Sequence, residues 1–321
     1  MSSQARIAVV VPVFNEEAVL PELFARLEAV FAGLPDIAWH VILADDGSRD
    51  RSAQLIAARA QMDGRYELVS LSRNFGHQPA LMAGIARAAE EGPDAVITMD
   101  ADLQDPPELI PELVASWRGG AEVVLAVRRS RKDEGLRRVG FDLFHKAFNR
   151  LSDFRITSNT GTFGLMAGEA VAALVALPER HRFFPGLRAW VGFREAEVLY
   201  DRKERAAGTP GQTLRRLVKY AMDGVLGFSY LPLRLLIYGG ISFCIFGILL
   251  GAFFVVRRLM GIEVAFTGFT TLVTLLLVIG GAQLIGIGIL GEYLARVYDE
   301  VKQRPLYVLR RGKASGRSAP R

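Results

Sequence analysis

Four apolar runs in the first third of the chain end in residues able to bind ligands. Asn15-Glu16-Glu17 follows Ile7 to Val13, and Asp45-Asp46-Gly47-Ser48 follows His40 to Ala44. Ser72-Arg73-Asn74-Phe75-Gly76-His77 follows Leu68 to Leu71, and Asp100-Ala101-Asp102-Leu103-Gln104-Asp105 follows Ala95 to Met99. Two carboxylates separated by one residue, directly after an apolar run, can hold a hard divalent ion such as Mg²⁺ or Mn²⁺, with a ligand's phosphates completing the shell. The competing reading is that these acids cap the next helix, for which Asp105-Pro106-Pro107-Glu108 is well suited. Several acidic run ends gathered on one edge would repel one another without a cation, which favours the metal. Further on, Arg128, Arg129, Arg131, Lys132, Arg137 and Arg138, then Arg202, Lys203 and Arg205, offer cations suited to phosphate. A solvated surface or anionic lipid would account for the same runs.

Other chemistries fit poorly. A single cysteine, Cys244, excludes a disulfide framework and a cysteine-rich zinc site, and His40, His77, His145 and His181 lack metal-ligand spacing. No G-x-x-x-x-G-K-[ST] loop, no G-x-G-x-x-G after the first apolar run and no G-x-S-x-G elbow occurs. Nucleic acid is not an expected partner, because aromatic residues are not interleaved with the cations.

The elements that must carry these residues alternate. Ile7 to Val13 is a continuous apolar run, as in a strand covered on both faces. Helical patterns over Glu16 to Phe31, Ser52 to Met62 and about Ala80 to Glu90 separate it from strands at His40 to Ala44, Leu68 to Leu71, Ala95 to Met99 and Glu122 to Val127. Strand and helix in turn imply an α/β fold with a mostly parallel sheet and ligands at the carboxyl ends of its strands.

Half of the residues are apolar, and the net charge of +5 hides an asymmetry: residues 1–110 hold 8 basic and 17 acidic side chains, the rest 31 and 17. The apolar surplus lies near the C-terminus. Twenty-two uncharged residues separate Arg234 from Arg257, and 28 separate Glu263 from Glu292. At about 1.5 Å per residue each can span the hydrocarbon core of a bilayer, so two transmembrane helices are expected. Their glycines permit close helix contact. Basic residues flank the outer ends of the pair, while the connector has only Arg257 and Arg258. The positive-inside rule therefore predicts a multi-pass protein of the inner (plasma) membrane with both termini cytoplasmic. No signal peptide is expected, since Ala8 to Val13 is a short apolar stretch followed at once by polar residues. Leu214, Leu217, Val218, Ala221, Met222, Val225 and Leu226 recur at helical spacing among cations, as in a helix lying in the headgroup layer; packing on the soluble domain is the alternative. The expected organisation is a cytoplasmic domain over 1–210, a juxtamembrane amphipathic helix over 211–232, a two-helix membrane domain over 233–291 and a basic cytoplasmic tail over 292–321. Beyond Pro305 that tail is expected to be disordered.

VVPVFNEE at Val10 to Glu17, DDGS at Asp45 to Ser48, SRNFGHQPAL at Ser72 to Leu81, MDADLQDPPE at Met99 to Glu108 and AWVGF at Ala189 to Phe193 match a known pattern. With the two C-terminal spans, they resemble the membrane-anchored polyprenyl-phosphate glycosyltransferases of family 2, the bactoprenol glucosyltransferase and dolichol-phosphate mannose synthase group. The resemblance covers residues 6 to 305. It implies a GT-A type fold and inverting transfer of a single sugar from a nucleotide diphosphate sugar to polyprenyl phosphate at the cytoplasmic face. A UDP-sugar is the favoured donor, with GDP-mannose second. The resemblance further implies that Asp46 contacts the base, with Pro12, Asn15, Glu16, Asp100 and Ala101 lining the nucleotide site. Asp100 and Asp102 would hold the metal, with Gln104 near the same ion, while Arg128, Arg131, Arg202 and Arg205 would contact phosphates. Homo-oligomers held through the spans are part of the same pattern.

The chain departs from it in two places. Gly161-Thr162-Phe163-Gly164-Leu165-Met166 stands where many relatives read Gly-Asp-Phe-Arg-Leu-Met, so an acid and an arginine are replaced. Gly208-Thr209-Pro210-Gly211 stands where relatives continue with Ser or Thr and Lys. Two other readings compete: a processive polysaccharide synthase, for which the Q-x-x-R-W spacing is missing, and a non-catalytic membrane partner with a degenerate transferase domain.

Overall fold

A computed structural model of the chain describes residues 4–129, 157, 160–180, 182–201, 231–261 and 269–310. Contacts divide it into two units, one of residues 1–218 with 304–321 and one of residues 219–303.

The first unit is built on a seven-stranded sheet. In chain order its elements are β1 (Ala5–Val13), α1 (Leu20–Ala32), β2 (Ile37–Asp45), α2 (Ser52–Met62), β3 (Tyr66–Ser70), α3 (His77–Glu90), β4 (Ala95–Thr98), α4 (Ile110–Arg118), β5 (Val123–Arg128), β6 (Thr160–Ala167), α5 (Gly168–Ala176), α6 (Phe184–Trp190) and β7 (Glu195–Tyr200). The sheet order is β3-β2-β1-β4-β6-β5-β7. β6 is antiparallel to both neighbours, and the remaining pairs are parallel, so the expected mostly parallel α/β sheet is present. Seven consecutive residues of β1, Ile7 to Val13, are buried, as an apolar strand covered on both faces requires.

The expected strands are found within a few residues of their predicted bounds, and α2 spans the predicted residues. α1 begins at Leu20 rather than Glu16 because residues 15–19 form a turn of their own. Asn15 takes a left-handed φ of 56°, and the amides of Val19 and Leu20 both bond the Glu16 carbonyl. Pro21 then starts the helix, where its missing N–H costs no intrahelical bond.

A C-terminal segment completes this unit. Leu309 forms an antiparallel bridge with Leu71, the Ser72 amide donates to the Val308 carbonyl at 2.8 Å, and the Arg310 amide donates to the Ser70 carbonyl at 2.8 Å. The expected disorder beyond Pro305 is therefore corrected for the described residues up to 310. The physical cause is the open edge at the end of β3, where backbone groups of Ser70 and Ser72 find partners in the C-terminal segment through an isolated bridge.

In the second unit α7 (Leu231–Leu259) has 29 residues and α8 (Phe269–Lys302) has 34. Among the described residues, Val278–Lys302 is long and apolar enough to cross a membrane, with mean hydropathy 1.5, and Leu235–Leu250 is a shorter apolar helix. Large apolar side chains on both helices are exposed in this chain alone, among them Leu249 and Leu284. The expected amphipathic helix over 211–232 lies outside the described residues apart from its last two positions, which begin α7.

Candidate active site

The carboxyl ends of β1, β2 and β4 and the start of α3 enclose a cleft of about 220 Å³. Its lining includes Pro12, Phe14, Glu16, Asp46, Asn74, Gly76, His77, Asp100, Ala101 and Asp102. Of the residues expected to line the nucleotide site, the cleft thus gathers Pro12, Glu16, Asp46, Asp100 and Ala101.

Asn15 stands beside this lining and knits two strand ends together. Its amide donates to Ser48 Oγ at 3.0 Å, and its Oδ1 accepts the Arg49 amide at 2.8 Å. Glu16 and Glu17 continue the same seam, their amides donating to Ser52 Oγ and Asp50 Oδ2. Asp46 is 1% exposed, and its two oxygens accept the amides of Phe75 at 2.7 Å and Gly76 at 2.9 Å. It therefore ties the Arg73–His77 loop to β2. Burial pushes its carboxyl up, against these two hydrogen bonds. The loop crosses Gly47 so closely that a Cβ there would lie 2.6 Å from the Arg73 carbonyl carbon, and Gly47 has φ +70°. Only glycine fits that approach.

Asp100 and Asp102 are held differently. Asp100 Oδ1 meets His77 Nε2 at 2.9 Å and accepts the Thr162 hydroxyl at 2.9 Å. Desolvation works against the Asp100 charge, but His77, Thr162 and the charge of Arg128 outweigh it and hold the carboxyl below its usual range. For His77, partial burial is in turn outweighed by Asp100, Asp102 and Asp46, and its imidazole is raised. Asp102 Oδ1 accepts the Gln104 amide at 3.1 Å. Gln104 thus serves Asp102 through its backbone, and it is not among the residues lining the cleft. The oxygen donors of Asp100 and Asp102 at the rim of one cleft suit Mg²⁺ or Mn²⁺.

Arg128 ends β5 beside this pair and is largely buried, its side chain 14% exposed. Its Nε donates to the Tyr200 hydroxyl at 3.1 Å, and Tyr200 donates to the buried Asp105 at 2.5 Å. Burial first, and Asp105 next, push the Tyr200 phenol up. Arg131, Arg202 and Arg205 lie outside the described residues.

His77, Thr162, Tyr200 and Asp105 were not among the expected site residues. His77 and Asp105 lie inside the quoted motifs, and Thr162 lies in a departure from one. Tyr200 has no local signal, since it ends a strand that periodicity did not reveal.

One further group among the described residues has metal-ligand chemistry: His40, Glu67 and Glu91. Arg87 already bonds both carboxylates at 2.7 Å, and His40 contacts both. A cation there would face the Arg87 charge, so the group is a closed ionic network.

The family model "Glycosyl transferase family 2" matches residues 8–174. An uncharacterized glycosyltransferase of Synechocystis is 42% identical over 94% of this chain and 94% of its own. The bactoprenol glucosyl transferase of Shigella phage SfII is 40% identical over 95% of this chain and 98% of its own. A prophage bactoprenol glucosyl transferase homolog of Escherichia coli is 38% identical over 96% and 99%. The chain is a glycosyltransferase and belongs to glycosyl transferase family 2.

Proposed function

We propose that this protein transfers one sugar, with inversion, from a nucleotide diphosphate sugar to polyprenyl phosphate at the cytoplasmic face of the membrane. The product is a polyprenyl-phosphate-linked sugar for modifying cell-envelope glycans or glycolipids. A UDP-sugar is the favoured donor, and GDP-mannose the second candidate. The observation that carries the reading is the meeting, in one cleft, of the Asp100–Asp102 pair with the nucleotide-side residues Glu16 and Asp46. Near full-length similarity to proteins named bactoprenol glucosyl transferase supports the polyprenyl acceptor.

In this reading Pro12, Asn15, Glu16, Asp46 and Ala101 shape the nucleotide site. Asp100 and Asp102 hold Mg²⁺ or Mn²⁺, with Gln104 fixing Asp102. When bound, the ion neutralises charge that grows on the departing diphosphate. Arg128, with Arg131, Arg202 and Arg205, binds phosphate groups and brings the anionic acceptor close to an anionic donor. The acceptor oxygen is already ionised near neutral pH, so alignment on the anomeric carbon is the main task. A buried Arg128 suits this task, because its direction is set by Tyr200 and Asp105 before substrate arrives.

The apolar helices α7 and α8 act in this reading as a two-span anchor with both termini cytoplasmic. The 211–232 helix rests at the headgroups, and spans of neighbouring copies pack on one another.

The test is radiolabel transfer from a panel of nucleotide sugars into polyprenyl phosphate, with and without Mn²⁺. Label is expected in the lipid phase from one donor and only with the ion. No transfer from any donor, together with no metal-dependent nucleotide binding, leaves the non-catalytic partner as the better reading. Formation of a polymer rather than a single-sugar product favours the processive synthase.

A further inference from the structure

Thr162 lies on β6 beside the acid pair, and the structure gives its hydroxyl a definite task. Thr162 is 9% exposed on β6, and its Oγ1 donates to Asp100 Oδ1 at 2.9 Å. His77 Nε2 meets the same oxygen at 2.9 Å from α3, on the other side of the strand order. Neither bond falls on Oδ2.

The backbone that aims this hydroxyl is itself fixed. Thr98 Oγ1 of β4 donates to the Thr162 carbonyl at 2.5 Å. One residue earlier, the Gly161 carbonyl accepts Arg188 Nη2 at 3.3 Å, from a side chain that is 2% exposed. A Cβ at Gly164 would lie only 2.5 Å from the Val124 carbonyl oxygen of β5 and 3.3 Å from Arg188 Nη1, so the close approach of β5 calls for glycine first and Arg188 second. Thr162 and Gly164 thus both serve the placement of β6 between β4 and β5. The glycine lets β5 approach closely, and the threonine supplies a hydroxyl donor to Asp100, which a carboxylate there would repel.

We infer that Thr162 is a positioning residue: its hydroxyl, with His77, fixes the Asp100 carboxylate in the orientation from which it meets a divalent cation bound with the nucleotide diphosphate. The inference rests on the metal reading given under Proposed function. Carboxylate ligands are commonly held by such outer hydrogen bonds, and losing one typically lowers metal affinity or activity about 10- to 100-fold. A second carboxylate at 162 would add negative charge near Asp100 and remove the donor. The threonine keeps the site to one orientation of Asp100, at no cost in burying an unpaired charge.

The experiment uses the full chain in detergent or nanodiscs and measures Mn²⁺ affinity by electron paramagnetic resonance, with and without UDP. Thr162→Val keeps the shape and deletes the donor; Thr162→Ser keeps the donor. The expected result is an Mn²⁺ affinity about 10- to 100-fold weaker in T162V, near wild-type in T162S, and thermal midpoints that agree among the three proteins. Equal Mn²⁺ affinity in T162V and the wild type overturns the inference while leaving the metal reading intact. Absence of Mn²⁺ binding by the wild type overturns the metal reading and this inference with it. Should T162V fail to fold, Thr162→Cys against Thr162→Ser makes the same comparison, because a thiol is a weak donor; equal affinity in that pair again overturns the inference.

Discussion

At the scale of single residues, the two acids of the metal pair are not equivalent. Asp100 is tied to His77 and Thr162 by hydrogen bonds and is 29% exposed at its side chain, whereas Asp102 Oδ1 accepts the Gln104 amide and its charge acts on His77. Asp102→Ala removes a carboxylate of the metal pair and leaves the Asp100 contacts with His77 and Thr162 in place. It is expected to abolish turnover in the transfer assay, a loss on the order of 100-fold or more, while the circular dichroism spectrum and thermal midpoint stay unchanged. Retained turnover would take Asp102 out of the metal site. Both aspartates were visible in the sequence because their spacing is local. The parts played by Thr162 and Tyr200 were not, because each meets its partner across more than 60 positions of chain: Thr162 to Asp100 at a separation of 62, Tyr200 to Asp105 at 95.

At the scale of elements, the bridged C-terminal segment bears on the cleft through the loop it adjoins. Val308 and Arg310 bond Ser72 and Ser70, and the chain then runs directly into Asn74, Gly76 and His77 of the lining. Arg310→Pro deletes the amide donated to Ser70, at a cost of about 1 kcal/mol. The expected outcome is faster hydrogen exchange at the Ser72 amide and a higher KM for the donor. Leu309→Ala, at a side chain 52% exposed, should leave both unchanged. If R310P behaves like L309A, the segment only covers an edge. Composition pointed the other way, since Arg310-Arg311-Gly312-Lys313 reads as a solvated tail. Backbone pairing is nearly blind to side-chain type, so an unpaired edge elsewhere decided the matter. β6 and β7 escaped prediction for a related reason. β6 carries Gly161 and Gly164 and runs against its neighbours, and on β7 exposure alternates as in a half-buried strand, but the apolar Leu199 at an exposed position blurs that alternation in the sequence.

At the scale of the molecule, charge does two things. The first unit carries acids whose partners stabilise the ionised form. Burial opposes the Glu28 charge but is outweighed by Tyr66, Arg65 and Arg59; Arg65 lowers Asp63; and Glu67, also against burial, is lowered by His40 and Arg87. A carboxyl whose folded pKa lies below its unfolded value, about 4, contributes stability that is complete above the unfolded value and is lost as pH falls through the folded one. The urea midpoint is therefore expected to hold from pH 7 to about 5 and to fall steeply below about 4. A midpoint that stays level to pH 3 would contradict these pairings. The second effect concerns the proposed anchor: a reporter fused after Arg321 should behave as cytoplasmic and one inserted near Gly261 as external. The reverse result would overturn the positive-inside reading.

The sequence by itself determined the family, the alternation of strand and helix, the acid-bearing strand ends and the apolar C-terminal helices. All of these rest on patterns within a few residues, where spacing and chemistry are directly readable. It also exposed the departures at Thr162 and Gly164 without saying what they do. Tertiary structure decided which distant groups meet: His77 and Thr162 at Asp100, Tyr200 and Asp105 at Arg128, Val124 and Arg188 against Gly164, and the C-terminal bridge beside β3. Those contacts join segments far apart in the chain. No local pattern encodes them, because a buried polar group is satisfied by whichever partner the packed fold brings within reach.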